Sequence, residues 1–354
     1  MTVYFAGLDF HNCVVPSSEG NSSEMLYPLP VNIGCNLKNT RMRVDLIVFQ
    51  KVGNVYSWFA KGDGFPQECE LLRFDLKISQ VCLAANMLIG FSEKTNSLYK
   101  IDFSLNYNSE FFSWNLKQVQ LPDTLFQVKQ IATNDKSVFV LDDCSNIFEV
   151  AAETLILKWR LDGEIEIQKL SCGFGHFTAL TDTGAVYSWG SGGRRELGHF
   201  DHDHVMVNCE EPKRIQFFDD LPCIVKDISC GGWHTLALTS DGDIYSWGWN
   251  VSGQLGIDSH RGENQVSSFV GGVPYPVDLG SATDPVAYIA SGARHSLALL
   301  KSGKCYSFGL NSHGQLGDGT FDNKSEPVQV KFVDESTKVV RIECGRWSSF
   351  LYCE

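Results

Sequence analysis

Long apolar runs are absent from this 354-residue chain. Nothing in it approaches the roughly 18 consecutive apolar residues of a membrane-spanning helix. The opening Met-Thr-Val-Tyr-Phe-Ala-Gly-Leu-Asp has no basic segment ahead of an apolar stretch, so no secretory signal is expected. Among twelve cysteines no two form a Cys-x-x-Cys pair, the usual mark of zinc ribbons and thioredoxin-type redox chemistry. They read instead as small, reduced core residues of an intracellular protein. Positive charge is the minority, 29 Lys and Arg against 42 Asp and Glu. The net charge of −13 argues against a protein held on DNA by neutralising phosphates. No segment carries a sustained 3.6-residue apolar stripe with caps, so almost no helix is expected. Even so, 43% hydrophobic residues suffice for a buried core and exclude a disordered chain.

What the chain does have is a repeat. Only seven of the 32 glycines precede residue 150, because most of the others serve that repeat. Ser171-Cys-Gly-Phe-Gly-His, Ser229-Cys-Gly-Gly-Trp-His and Ala290-Ser-Gly-Ala-Arg-His lead into Phe177-Thr-Ala-Leu, Thr235-Leu-Ala-Leu and Ser296-Leu-Ala-Leu. Each is then followed by Val186-Tyr-Ser-Trp-Gly, Ile244-Tyr-Ser-Trp-Gly or Cys305-Tyr-Ser-Phe-Gly, and by a loop ending Leu197-Gly198, Leu255-Gly256 or Leu316-Gly317. Every unit reads as a β-hairpin: Thr235–Thr239, an Asp241-Gly242 turn, and Asp243–Trp247 running back. Ala179, Ala237 and Ala298 share one slot and Leu180, Leu238 and Leu299 the next, so the first strand is apolar on both faces and covered on both sides. Pro212, Pro276 and Pro327 fit edge or entry positions, where a missing N–H costs least.

The pattern persists, weakened, through the first half. Tyr56, Tyr99 and Phe148 occupy the slot of Tyr187, Tyr245 and Tyr306, giving six hairpins. A seventh is split. The last unit, from Glu343 to Tyr352, stops where its return strand should begin, and Tyr4-Phe-Ala-Gly7-Leu-Asp9 resembles Tyr306-Ser-Phe-Gly309-Leu-Asn311. The expectation is an all-β, seven-bladed β-propeller closed by pairing of the N- and C-terminal strands. It forms a single domain over residues 1–354, with degenerate blades in 1–150 and well-formed repeats in 151–354.

The combination of Cys-Gly-x-x-His-(Thr/Ser)-x-Ala-Leu, Asp-Gly-x-x-Tyr-Ser-Trp-Gly and Asn-x-x-Gly-Gln-Leu-Gly resembles the regulator of chromosome condensation repeat family, specifically over residues 168–351 and faintly over 1–150. Within that family, Gly231-Gly-Trp-His, Ser291-Gly-Ala-Arg-His and Cys344-Gly-Arg-Trp look closest to a small member that partners a Jumonji-type histone lysine demethylase. The resemblance implies a propeller and, more weakly, a nuclear, chromatin-linked partner role in histone methylation and chromosome segregation. The family's founder is a guanine nucleotide exchange factor for a small GTPase that also binds nucleosomes. Exchange activity is therefore the rival expectation, and histones or nucleosomes are possible partners.

No enzymatic constellation emerges, and neither cofactor nor metal is expected. Gly173-Phe-Gly175 and Gly190-Ser-Gly192-Gly193 lead into no helix and no Gly-Lys-Ser/Thr follows, so they read as turns rather than phosphate cradles. His176, His234 and His295 recur once per blade, which points to a structural hydrogen bond rather than catalysis. His199-Phe-Asp201-His202-Asp203-His204 has metal-binding residue types but no further nameable ligands. Hairpin geometry gathers one rim from the residues after Gly231, Gly292 and Gly345 and after Gly190, Gly248 and Gly309. The third position of the first set is Gly175, Trp233, Arg294 and Trp347, expected to stack guanidinium against indole. Arg346, Trp249, Asn250, Leu310 and His313 complete the expected partner-binding rim. Arg194 and Arg195 join it as a basic pair, Arg195 standing where Gly253 and Gly314 stand in the other units. The insertion from Asp258 to Ala287 is expected to be its most mobile part.

Overall fold

Alternation of apolar strands and Gly-bearing turns dictates strands throughout. In a computed structural model, the described residues are 2–8, 24–31, 40–43, 46–50, 56–60, 80–84, 87–104, 113–123, 127–134, 136–161, 165–199, 208–257, 272–280, 283–332 and 336–354. Of the insertion over 258–287, residues 258–271, 281 and 282 lie outside them, as does the histidine-rich stretch over 200–207.

The chain opens with β1 (Thr2–Leu8) and β2 (Glu24–Val31). A three-stranded sheet follows from β3 (Thr40–Arg43), β4 (Leu46–Gln50) and β5 (Tyr56–Ala60). Next come four-stranded sheets: β6 (Gln80–Ala84), β7 (Met87–Ser92), β8 (Ser97–Ser104) and β9 (Ser113–Val119); then β10 (Val128–Thr133), β11 (Val138–Asp142), β12 (Asn146–Ala151) and β13 (Thr154–Arg160). The third comprises β14 (Ile167–Cys172), β15 (His176–Thr181), β16 (Val186–Gly190) and β17 (Cys209–Arg214). The fourth comprises β18 (Val225–Cys230), β19 (His234–Thr239), β20 (Ile244–Gly248) and β21 (Tyr275–Val277). The fifth comprises β22 (Val286–Ser291), β23 (His295–Leu300), β24 (Cys305–Gly309) and β25 (Lys324–Gln329). Finally β26 (Val339–Cys344) and β27 (Ser348–Cys353) join the first two strands in the order β2-β1-β27-β26. The chain is all-β: among the described residues the one helix is a 3₁₀ turn, Gln216–Asp220.

The expected pairing of the termini is present, β1 running antiparallel to β27 from Thr2 opposite Cys353 to Gly7 opposite Ser348. Tyr56, Tyr99 and Phe148 fall in β5, β8 and β12, the third strands of their sheets, as Tyr187, Tyr245 and Tyr306 do in β16, β20 and β24. Pro212, Pro276 and Pro327 sit in the outermost strands β17, β21 and β25.

Two compact units emerge, one from Gly34–Leu170 and the other from Met1–Ile33 with Ser171–Glu354. The first is built around Ile89, Phe91, Ile131, Val140 and Phe148. In the second, β15, β19, β23 and β27 are buried at every position, as two-sided apolar strands require. Cores around Trp247, Leu236, Phe308 and Leu351 lie between successive sheets.

Each of those second strands begins with a buried polar joint. His176 Nε2 meets Thr235 Oγ1 at 2.9 Å, His234 Nε2 meets Ser296 Oγ at 2.9 Å, and His295 Nε2 meets Ser349 Oγ at 3.2 Å. Ser296 and Ser349 donate their hydroxyl protons to the carbonyls of Gln254 and Gln315. They are left to accept from the imidazoles, which places the proton of His234 and His295 on Nε2. Their Nδ1 atoms are buried without a partner. The glycine of Cys-Gly-x-x-His is there for the ring: a Cβ on Gly231 would lie 2.1 Å from His234 Cε1.

With each Nδ1 unpartnered, burial pushes His176 and His234 down to about 3 and, against a backbone hydrogen bond at Ser348, His295 to about 4. The unfolded chain takes up these protons below about pH 6.5 whereas the folded chain does not. Stability is therefore full above that pH and falls as pH drops towards 4, by about 1 kcal/mol per histidine per unit. Urea denaturation at pH 7.5, 6 and 5 tests this. A His234→Asn variant, however destabilised, should show a shallower pH slope than the wild type, and a wild-type stability flat over this range would contradict the account.

Candidate functional site

The end of each sheet away from its β-turn carries the chemistry, and the backbone fixes it. In the unit holding residues 171–354, Phe174 N donates to Gly232 O, Gly232 N to Ala293 O, and Ala293 N to Arg346 O, at 3.0–3.1 Å. This ladder aligns Gly175, Trp233, Arg294 and Trp347 on successive sheets. A second set is tied to the first, Ser191 N donating to Gly175 O, Trp249 N to Trp233 O and Leu310 N to Arg294 O. Trp249 thus stands beside Trp233, ring centroids 5.0 Å apart and nearly perpendicular.

Two guanidiniums flank this indole pair. Arg194 Cζ lies 4.5 Å from the Trp233 centroid and 5.3 Å from Trp249; Arg294 Cζ lies 4.7 Å from Trp249 and 5.4 Å from Trp233. All four side chains are half-buried, and such contacts are worth about 0.5–2 kcal/mol each. Arg294 Nε is buried with no hydrogen-bond partner. Phe174 packs edge-on against Trp233 at 4.8 Å and carries Arg346 over its ring at 4.9 Å.

The expected Trp–Arg–Trp stack is therefore corrected. Arg294 joins Trp233, but the second indole is Trp249; Trp347 lies instead beside His313, ring centroids 6.4 Å apart. Asn250 is buried and used inside its own loop, accepting from Leu255 N and donating to Ile257 O, so it presents nothing outward. Leu310, His313, Arg195 and Arg346 are half-buried at the same end. Sequence reasoning missed Phe174 and the exposed Val251 and Phe321. The signal for Phe174 was available: the matching positions Gly232 and Ala293 are small, and Phe174 lies where a Cβ on Gly232 would come within 2.9 Å.

The Asn-x-x-Gly-Gln-Leu-Gly loops are self-folding. Asn250 and Asn311 accept from Leu255 N and Leu316 N, and Gln254 and Gln315 accept from Ser252 N and His313 N. Ser246 and Ser307 donate to Leu255 O and Leu316 O at 2.7 and 2.8 Å. The loop after β16 keeps this course with different residues: Glu196 accepts from Arg194 N, and Arg195 takes φ 65° where Gly253 and Gly314 have 84° and 73°. The turn is unchanged and the arginine is strained.

Among the described residues no group of His, Cys, Asp and Glu could hold a metal ion. A family model described as "Regulator of chromosome condensation (RCC1) repeat" matches residues 183–238, 241–299 and 302–352. A second model of that repeat matches 167–195, 225–254 and 286–315. RCC1 domain-containing protein 1 from Homo sapiens is 29% identical over 220 residues, covering 53% of this chain and 57% of the relative. The chain spans about half the length of the curated relatives it matches. Human WBSCR16 superimposes with a TM-score of 0.79 at 15% identity, covering 100% of both chains. Prp20p from Saccharomyces cerevisiae, a protein studied for its binding to Gsp1p and histones, gives 0.80 at 16%, covering 99% of this chain and 91% of Prp20p. These likenesses show the fold, that of the RCC1-type β-propellers.

Replacing Arg195 by glycine should relieve the left-handed strain and raise stability by about 1 kcal/mol. The check is a higher urea midpoint at unchanged slope; a lower midpoint would mean that the arginine side chain contributes more than the strain costs.

Proposed function

From the premise that the chain belongs to the RCC1 repeat family, we infer that it is a non-enzymatic interaction protein that binds another protein through the loop ends of its 171–354 sheets. The observation that carries this reading is the indole pair Trp233–Trp249 held between Arg194 and Arg294. Tryptophan and arginine are the residue types that dominate interface energetics when packed and desolvated. Exposed Val251 and Phe321 supply apolar surface in neighbouring loops. In this reading the seven sheets are blades of one ring closed through β1 and β27, forming a single monomeric domain. The partner is a Jumonji-type histone lysine demethylase, and the setting is nuclear, with a cytoplasmic fraction, in control of histone methylation and chromosome segregation. Histones are a further partner, as Prp20p's binding of them suggests.

A second reading, nucleotide exchange on a small GTPase, is favoured by the superposition on Prp20p, whose binding to Gsp1p was characterised. Such activity needs no catalytic constellation of its own.

Affinity capture with quantitative partner identification, comparing wild type with Trp233→Ala and Arg294→Ala, tests the first reading. Recovery of the demethylase should fall at least tenfold with either variant while both remain folded; unchanged recovery refutes the assigned face. A nucleotide-release assay against a panel of small GTPases tests the second, and release no faster than background removes it.

A further inference from the structure

Arg194 and Arg294 rest over the Trp233–Trp249 pair with Cζ 4.5–5.4 Å from the two ring centroids. A guanidinium carries five N–H donors in one plane, and a contact with an aromatic ring leaves those donors unspent. Among the described residues neither side chain has a hydrogen bond or an ion pair, and Arg294 Nε is buried as well as unpartnered. A buried donor without an acceptor costs stability, so its persistence calls for a reason. Shortage of acid is not that reason. The same unit pairs Arg214 with Asp219 at 2.7 Å and Arg341 with Glu343. Glu196, two residues after Arg194, accepts from the Arg194 backbone N–H. Two cations thus share one aromatic pair with no anion joined to either guanidinium.

The surroundings are apolar. Phe174 packs edge-on against Trp233 at 4.8 Å, and exposed Val251 follows Trp249 by two residues. An anion entering here must shed water, which a monoanion does at lower cost than a dianion. The acidic excess of the unit also repels a doubly charged group more strongly. Carboxylate meets these conditions better than phosphate, and it matches the planar fork of arginine.

We propose that Arg194 and Arg294 form a carboxylate receptor on the Trp233–Trp249 pair, and that its ligand is a glutamate or aspartate side chain flanked by apolar residues in the partner protein. The inference rests on reading this loop end as the binding face and adds the chemistry that the face recognises.

The test labels the full chain with ¹⁵N and follows the arginine Nε–Hε signals, those of Arg194 and Arg294 being assigned through Arg194→Lys and Arg294→Lys. Lysine keeps the charge and loses the fork; melting temperatures check that both variants are folded. The probe is the peptide acetyl-Gly-Phe-Glu-Leu-Gly-amide, titrated at fixed ionic strength beside its glutamine and phosphoserine counterparts. The expected result is a saturable downfield shift of both signals with the glutamate peptide. Affinity should be about tenfold weaker for the glutamine peptide and for either lysine variant, and unchanged in Arg214→Lys. Equal affinity for the glutamine peptide would reduce the site to an apolar patch, and tighter binding of the phosphoserine peptide would make it a phosphate site. Either result overturns the proposal, as does a glutamate peptide that shifts neither signal. The comparison of peptides on the wild type stands even where a variant fails to fold. The probe is independent of the partner, so failure here leaves a loss of capture with Trp233→Ala standing, and unchanged capture leaves the receptor standing.

Discussion

Every seam between sheets in the 171–354 unit hangs on a buried imidazole whose Nδ1 has no hydrogen-bond partner. The ring takes the space a Cβ would fill on the glycine three residues earlier, and Nε2 reaches the hydroxyl that opens the next sheet's second strand. At two seams that hydroxyl is already committed to the carbonyl of a loop glutamine. One buried contact thus locks three segments, and the residues of Cys-Gly-x-x-His-(Thr/Ser) are parts of a single steric object. It also explains why the aligned side chains at the loop end are reproducible from sheet to sheet. The backbone ladder through Phe174, Gly232, Ala293 and Arg346 starts beside these histidines, where buried polar atoms cannot be left to wander.

The repeat and the sheet are out of phase, and this stitches the unit together. The matched segment 183–238 begins before β16 and ends in β19, giving two strands to one sheet and two to the next. The segments 241–299 and 302–352 do the same through β20–β23 and β24–β27. No sheet can be lost without breaking two repeats. The last repeat ends with an unfilled edge on β27, and β1 occupies it along six residue pairs. An uncovered β27, buried at all six positions, would be an aggregation edge.

Much of this was legible because it lives in the backbone. Small–large alternation at Ala237 and Leu238, the Asp241-Gly242 turn and the edge prolines all report main-chain geometry, which a sequence states directly. The weak first-half markers worked for the same reason: Tyr56, Tyr99 and Phe148 fell in third strands although little else there matches the repeat. Side-chain direction was less legible. Position alone put Trp347 next to Arg294, yet Arg294 turned to Trp249, because that indole stands on the neighbouring strand end tied to Trp233. Asn250 looked like surface and is loop scaffold, its role set by Leu255 N five residues on. Phe174 escaped because its setting depends on the smallness of a residue 58 positions away, Gly232, and such volume complementarity is invisible within one repeat.

Charge placement sharpens what the loop end can do. Residues 34–170 hold 15 basic and 17 acidic side chains, whereas the unit of 1–33 and 171–354 holds 14 and 25. The acidity of the chain is thus concentrated in the unit that gathers Arg194, Arg195, Arg294 and Arg346 at one end of its sheets. At long range an approaching protein feels the unit's negative field, which salt screens over about 8–10 Å. At contact it meets guanidiniums on aromatic faces, which are weakly hydrated and retain their planar donor edges. The two ranges therefore oppose each other for an acidic partner and cooperate poorly for a basic one. For the binding face proposed above, discrimination comes from close packing against Trp233 and Trp249 rather than from steering. If this loop end is the binding face, the shape of the cluster, set by small neighbours such as Gly232, matters more to recognition than the sum of its charges.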